Sequence, residues 1–424
     1  MTKQTPTIPV LSLRQLKSAL FVAECRNVTK AAHKLNRSQT AITKAIGDLE
    51  ATLGKQLFDR SSTGMMPTVH GEALVFRIKL ATEEFQRAGE AYQTYKPDGR
   101  SYHSIPVFSL DISYKRLAAF IALFEMRDFA SVAKSLGVTK AAVYNSLRQL
   151  EELLELTLFD REPNGVSPTP FCHVLARHIK LAFSEIRHGI EDLESIDGIT
   201  QGKVVIGTLP YTRTYLTPRA INRLLERFPQ LDVSTQEGSY SVMEAGLRSG
   251  DIDFIVGAVR PVSEGSEVKT EILFTDHLAV IARKGHPLCA KTEINFKNLQ
   301  NALWVLPSHA TPSWKIFEEA LQTHDMHPPE HAVLTSSLSM VRGLLLDSDR
   351  LALLSEHQIH YDKINGILVT LPVNLSDTYR PIGITMRTHT QPSPAAQLFL
   401  EALREVATEI SQGDPPNLSG EKNG

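Results

Sequence analysis

The sequence predicts a multidomain protein: two all-α-rich modules, each with its own trailing helix, followed by a larger α/β domain. Three observations carry this. The chain matches itself without a gap at an offset of 101 residues. The matched stretches show apolar residues at helical spacing, broken by short turns. Residues 202–410 instead alternate short apolar runs with helical stretches, as α/β domains with parallel strands do.

The chain has 424 residues, enough for two to four domains at roughly 100–200 residues each. Hydrophobic content of 42% and charged content of 22% fit an ordinary soluble protein. Nothing approaches the ~18 uninterrupted apolar residues of a membrane span. Met1 to Ser12 is polar, with scattered prolines and no secretion signal. Cys25, Cys172 and Cys289 are odd in number and far apart, which argues against a disulfide framework and for a reducing cytoplasm. The formal net charge is −2, so affinity for a polyanion must come from local patches.

The repeat is specific. Leu49-Glu50 falls on Leu150-Glu151, Leu57-Phe58-Asp59-Arg60 on Leu158-Phe159-Asp160-Arg161, and Ile78-Lys79-Leu80-Ala81 on Ile179-Lys180-Leu181-Ala182. Two tetrapeptides matching in one register point to duplication. The first copy divides into a module at 11–69 and a helix at 70–95. The second divides into 111–170 and 171–197. Between them, 96–110 carries Pro97, Gly99, Ser101, Ser104 and Pro106 and reads as an interdomain linker.

Each copy has the requirements of a winged helix-turn-helix. A small residue is needed where two helices cross, a residue tolerant of positive φ at the corner, and an apolar residue facing back from the second helix. Copy one supplies Ala32, Asn36 and Ile42; copy two supplies Ala133, Gly137 and Val143. Asn tolerates the left-handed region better than most non-glycine residues. The Leu-Phe-Asp-Arg run and the Gly-x-x-Pro-Thr stretch suit the two strands of a wing. Beyond each wing lies a narrow a/d seam: Leu74, Ile78, Ala81, Phe85, Ala88 and Tyr92, then Leu175, Ile179, Ala182, Ile186, Gly189 and Leu193. Such seams require a facing helix, within the chain or from another copy, and a homodimer or homotetramer is expected.

The first recognition helix exposes Ser38, Gln39, Thr40, Thr43 and Lys44, side chains suited to base edges and phosphates. Arg37 precedes it and Arg60 lies on the wing. The second copy offers Lys140, Asn145 and Arg148, with Thr139 and Tyr144. Residues 11–80 hold eleven Lys/Arg and five acids, net +6; residues 112–181 hold nine and seven, net +2. Phosphate contact supplies most affinity for DNA, so the first copy is expected to be the stronger reader, and the second is left with two readings, a weaker DNA contact or a dimerisation or spacing element.

Residues 11–74 resemble the winged helix-turn-helix of LysR-type transcriptional regulators. Ser38 to Glu50 is similar to that family's recognition helix, and Gly54, Leu57-Phe58-Asp59-Arg60 and Thr68-x-x-Gly71 continue the match. The resemblance extends over 202–410. A second module departs from the family's usual single one. It is degenerate, with Glu155 at the position of Gly54 and Cys172 at that of Gly71. The resemblance implies binding of double-stranded operator DNA, contact with RNA polymerase, and a two-lobed effector domain of the periplasmic-binding-protein type. Its outer lobe is placed at roughly 202–275 and 366–410, the other lobe between.

A ligand is expected where loops leave strand ends, between the lobes. Leu209, Pro210, Thr212 and Arg213 follow the first strand. Hydroxyls and an arginine there suit a small anionic or polyhydroxy molecule. By resemblance Ser239 stands where the family often places a ligand-binding hydroxyl; Ser308 and Ser337 follow strands of the other lobe. His327-Pro328-Pro329-Glu330-His331 has the spacing of some zinc peptidases, but those ligands must share one helix, which two prolines break. No catalytic residue, metal or cofactor is expected. The alternative reading is a small-molecule-binding module whose winged domains contact proteins. Residues 411–424 read as a disordered tail.

Overall fold

The computed structural model of the 424-residue chain describes residues 11–412 apart from 62–63, 164, 296–298, 374, 376–377 and 389. It divides into two compact units, Met1–Gly202 with Ser249–Asp251, and Lys203–Arg248 with Ile252–Gly424.

In the first unit, α1 (Leu13–Cys25), α2 (Val28–Lys34) and α3 (Gln39–Leu53) are followed by β1 (Phe58–Ser61), β2 (Gly64–Pro67) and the long α4 (Val69–Tyr95). The second copy repeats this order with α5 (Tyr114–Met126), α6 (Phe129–Leu136), α7 (Lys140–Leu154), β3 (Phe159–Glu162), β4 (Gly165–Pro168) and α8 (Pro170–Ile196). The starts of α2, α3, α6 and α7 are fixed by side-chain caps. Asn27 and Asp128 accept from the amides of Lys30 and Ser131, and Ser38 and Thr139 from those of Ala41 and Ala142. Asn36 and Gly137 turn the corners with φ of 50° and 65°. Ala32, Ile42, Ala133 and Val143 are buried at the crossings.

The repeated Leu-Glu pair has a structural reason. A carboxylate oxygen of Glu50 accepts from the amides of Leu57 (2.8 Å) and Phe58 (3.1 Å), tying the end of α3 to the wing. Glu151 does the same for Leu158 (2.7 Å) and Phe159 (3.4 Å). Two buried-edge amides that no strand partner reaches are satisfied this way.

The seams of α4 and α8 face each other within the chain. All six positions of the α4 seam are buried, as are Leu175, Ile179, Ala182, Ile186 and Leu193 of α8. The demand for a facing helix is therefore met without a second copy.

Residues 96–110 correct the reading of a plain linker. They form two short 3₁₀ turns, Tyr102–Ser104 and Pro106–Ser109, and bury Ile105, Val107, Phe108 and Leu110. Phe108 packs on Tyr92 of α4, with ring centroids 5.5 Å apart. Four apolar residues spaced among Pro, Gly and Ser were enough to dock the segment.

The second unit has two lobes with mixed sheets. The first contains β5 (Gly202–Thr208), α9 (Leu216–Arg227), β6 (Leu231–Glu237), α10 (Tyr240–Ser249), β7 (Phe254–Ala258) and β8 (Val268–His277). The second contains β9 (Ala279–Arg283), β10 (Trp304–Leu306), α11 (Pro312–Thr323), β11 (Ala332–Leu334), α12 (Leu338–Leu346), β12 (Leu351–Leu354), α13 (His360–Ile364) and β13 (Leu368–Thr370). The chain then returns to the first lobe with β14 (Tyr379–Arg387) and α14 (Pro394–Gln412). Strand orders are β6-β5-β7-β14-β8 and β11-β10-β12-β9-β13. β5 and β7 are parallel, while β14 runs antiparallel to both β7 and β8. The lobe boundary differs from the sequence expectation: residues 368–370 belong to the second lobe, because Leu368 pairs with Arg283 and Thr370 with Ile281. Ser411 and Gln412 end α14, so they are not tail; 413–424 lie outside the described residues.

Candidate DNA interface and effector site

On α3, Gln39, Thr40 and Lys44 are exposed, as is the capping residue Ser38; Thr43 is half-buried. Arg60 is exposed on β1. Arg37 is half-buried, 3.6 Å from Asp111, which also pairs with Lys17. On α7, Lys140, Tyr144, Asn145 and Arg148 are exposed. Arg148 pairs with Glu152 (3.3 Å), and Arg161, the wing equivalent of Arg60, donates to the Tyr144 hydroxyl (2.9 Å). Each copy thus displays one polar helix face and one wing arginine on a rigid three-helix base. That is the arrangement by which a helix enters a major groove and a flanking strand reaches phosphate.

The glycines that open the two Gly-x-x-Pro-Thr stretches hold the wings. Gly64 and Gly165 have φ of 145° and 142°. A side chain there would meet the carbonyl oxygens of Arg26 and Arg127 at 2.3 and 2.5 Å. Those same carbonyls accept from the amides of Met65 (3.0 Å) and Val166 (3.1 Å). The signal was present: both glycines match under the 101-residue offset.

In the second unit, the expected ligand loop is largely occupied by the fold. Thr212 is buried and its hydroxyl donates to the carbonyls of Val256 (3.0 Å) and Leu209 (3.3 Å). It therefore serves the turn after β5. Arg213 donates to the Thr208 carbonyl (2.7 Å) and pairs with Glu237 (3.3 Å). Leu209 is buried against Gly257, and Pro210 is half-buried beside it. Ser239 and Ser337 are exposed and built alike. Each shares a hydrogen bond with the serine two residues on, Ser241 or Ser339 (3.0 Å in both), and each accepts from a helix amide. Ser308 is exposed after β10. No hydrogen bond or ion pair joins Ser239, Ser308 or Ser337 to one another or to Arg213. His327 to His331 lie between α11 and β11, outside any helix, as the prolines require.

A different cluster gathers at the crossing between lobes. Arg380 at the start of β14 is buried. It donates to Ser313 at the start of α11 (2.5 Å), lies 3.7 Å from Asp276 at the end of β8, and stacks over the Tyr211 ring at 4.9 Å. Ser355, fully buried, donates to Asp276 (3.0 Å), and His357 approaches the same carboxylate at 3.7 Å. Nε and Nη2 of Arg380, Oδ2 of Asp276 and the hydroxyls of Tyr211 and Thr217 are shielded from solvent without a well-formed hydrogen bond. Burial pushes the Tyr211 hydroxyl pKa up, helped by the Asp276 charge. Burial lowers the pKa of Arg380 and of His357, opposed in both by Asp276. Buried polar groups are almost always paired, so this cluster can receive a polar molecule bearing both acceptor and donor atoms. Among the described residues no group of acidic, His or Cys side chains is placed to hold a metal ion, and no helix is long and apolar enough to cross a membrane.

Known proteins resemble the chain throughout. Residues 13–72 and 114–173 each match the profile described as "Bacterial regulatory helix-turn-helix protein, lysR family", and residues 198–408 match the "LysR substrate binding domain". The chain is 33% identical over 398 residues to the HTH-type transcriptional regulator GalR of Pseudomonas putida, covering 94% of this chain and 98% of that protein. It is 27% identical to the regulator PcaQ of Agrobacterium fabrum over 302 residues, 71% of this chain and 97% of the other. Among solved structures, full-length CbnR with its target DNA superposes with a TM-score of 0.52 at 16% identity, over 70% of this chain and 100% of CbnR. Full-length OxyR from Pseudomonas aeruginosa gives 0.50 at 21% identity, over 70% and 94%.

Proposed function

The chain belongs to the LysR family of bacterial transcriptional regulators, and from that premise we propose how it divides the work. The two winged modules bind double-stranded operator DNA. The unit from Lys203 onward binds a small anionic or polyhydroxy effector at the Arg380 cluster, with the serine-capped helix starts at Ser239 and Ser337 and the Ser308 loop as further polar contacts. The observation that carries the DNA part is the double match to the family's reader, with polar residues exposed on both α3 and α7. The effector part is supported by the buried, under-partnered donors and acceptors around Arg380. A carboxylate would take the guanidinium N–H groups and a hydroxyl would take Asp276. As a regulator the protein would act in the cytoplasm and contact RNA polymerase. Homo-oligomerisation would use surfaces other than the two seams, which cover each other.

The test is DNA binding by the full chain to the region upstream of its own gene, with and without a panel of small carboxylates and sugars. One class should shift both the melting temperature and the DNA affinity, and Arg380→Met should abolish that response while leaving effector-free DNA binding in place. A response unchanged by Arg380→Met would move the site elsewhere.

A further inference from the structure

We infer that one chain is a complete two-headed DNA reader. Helix α4 pairs with α8 of its own chain in preference to a second copy, and the two modules read two different half-sites, so the preferred duplex is not a palindrome. This rests on the DNA-binding reading above.

The pairing is nearly symmetric, and its departures from symmetry select the partner. Residues 101 apart are equivalent in the two copies. Arg77 of α4 pairs with Glu185 of α8 (2.9 Å), and the equivalent His178 of α8 pairs with Glu84 of α4 (2.8 Å). A second α4 could satisfy Arg77 equally with its own Glu84, so this pair does not discriminate. The helix ends do. Lys96 closes α4 and reaches the end of the second module's recognition helix, donating to the Glu155 carbonyl (3.0 Å) and carboxylate (2.7 Å). Arg100 joins at 2.8 Å. The equivalent residue closing α8 is Asp197, which reaches the end of the first module's recognition helix and pairs with Lys55 and His70. The two ends carry the same contact with the charges exchanged.

Homotypic pairing reverses this. Two α4 helices would bring Lys96 to Lys55, and two α8 helices would bring Asp197 to Glu155: like charges at both ends. Arg77 would also lose Asp192 (2.6 Å), whose equivalent in α4 is Ala91. Specificity built from repulsion against the wrong partner is how paired helices choose. The docked segment 96–110 adds proximity, since a short connection gives an effective concentration on the order of millimolar.

The recognition helices presented by this fixed pair differ at five positions along their polar faces. Gln39 corresponds to Lys140, Thr40 to Ala141, Thr43 to Tyr144, Lys44 to Asn145 and Gly47 to Arg148. Gln and Asn suit adenine, Lys suits guanine, and Ala suits the thymine methyl group. Two readers that keep the wing arginine (Arg60, Arg161) but differ at these recognition-helix positions select unlike sequences.

The experiment uses the full chain and random duplex DNA. Selection should return one motif with two dissimilar halves, and Gln39→Ala/Lys44→Ala and Lys140→Ala/Asn145→Ala should each erase the footprint on a different half. Mixing the two variants should not restore the full footprint, because each chain keeps one defective reader. A palindromic motif, or restoration on mixing, overturns the inference and leaves DNA binding standing. So does a second-module variant that footprints like the native chain, the outcome expected if that module binds a protein. Selection of no sequence at all overturns the DNA-binding reading and the inference with it.

Discussion

Arg77 and Glu185 form an ion pair at 2.9 Å with both side chains buried between α4 and α8. Removing one member of such a pair strands the other in a poor solvent, at a cost of about 3–5 kcal/mol. Arg77→Met should therefore lower the stability of the first unit by that order. Arg77→Met with Glu185→Leu should recover part of it, since Glu185 is then no longer stranded, while Asp192 still loses its partner. Urea unfolding followed by circular dichroism measures both, and equal losses in the single and double variants would show that the pair is not coupled.

Two glycines separate strain from collision. Gly54 has φ of 65° with open space around its Cβ position, so Gly54→Ala should cost only the left-handed conformation, about 1 kcal/mol. Gly64→Ala adds a contact at 2.3 Å with the Arg26 carbonyl and should cost more and weaken DNA binding, because the wing must shift. The comparison is between melting temperatures and DNA affinities of the two variants.

The three cysteines should differ in reactivity. Cys172 is buried, and burial pushes its pKa up to about 12, so almost no thiolate exists near neutrality. Cys289 is exposed. Labelling of the native protein with a maleimide, read by mass spectrometry, should modify Cys289 readily and Cys172 only after unfolding.

The helix-end contacts give an acid dependence with a definite sign. Lys96 holds Glu155, and Lys55 with His70 holds Asp197, below the usual carboxylate range. A carboxyl lowered in the folded state stabilises it above the unfolded pKa, near 4, and the contribution disappears as pH falls through the lowered folded value. Lys55→Met and Lys96→Met should thus reduce stability at pH 7, and the loss should shrink as pH falls through the lowered folded values, as pH-dependent melting would show.

The modules were legible because helix capping, corner geometry and apolar spacing are local. Asn27, Ser38 and Asn36 announce themselves within a few residues. The seams announced a need for a partner but not which one, since Lys96 and Glu155 meet only through tertiary packing. Glu155 read as degeneration of a glycine, whereas its side chain makes the contact that closes α4; its φ of 50° is the strain accepted there. The effector cluster was not legible from the loop after β5, because Tyr211, Asp276, Ser313, Ser355 and Arg380 come from five separate segments. The local sequence carried little signal, since Asp276 shares β8 with Lys269 and Glu271 and Arg380 shares β14 with Arg387.

The central claim is that both modules bind DNA through phosphate contacts and base edges. Its most direct test is the salt dependence of full-chain binding to the selected duplex, by fluorescence anisotropy. The affinity should fall linearly on a logarithmic plot between about 50 and 200 mM salt, and a wing arginine that contacts phosphate should reduce the slope by about one when changed to alanine, Arg60 in the first module and Arg161 in the second. Binding that is insensitive to salt, or a slope unaltered by either substitution, would contradict the account.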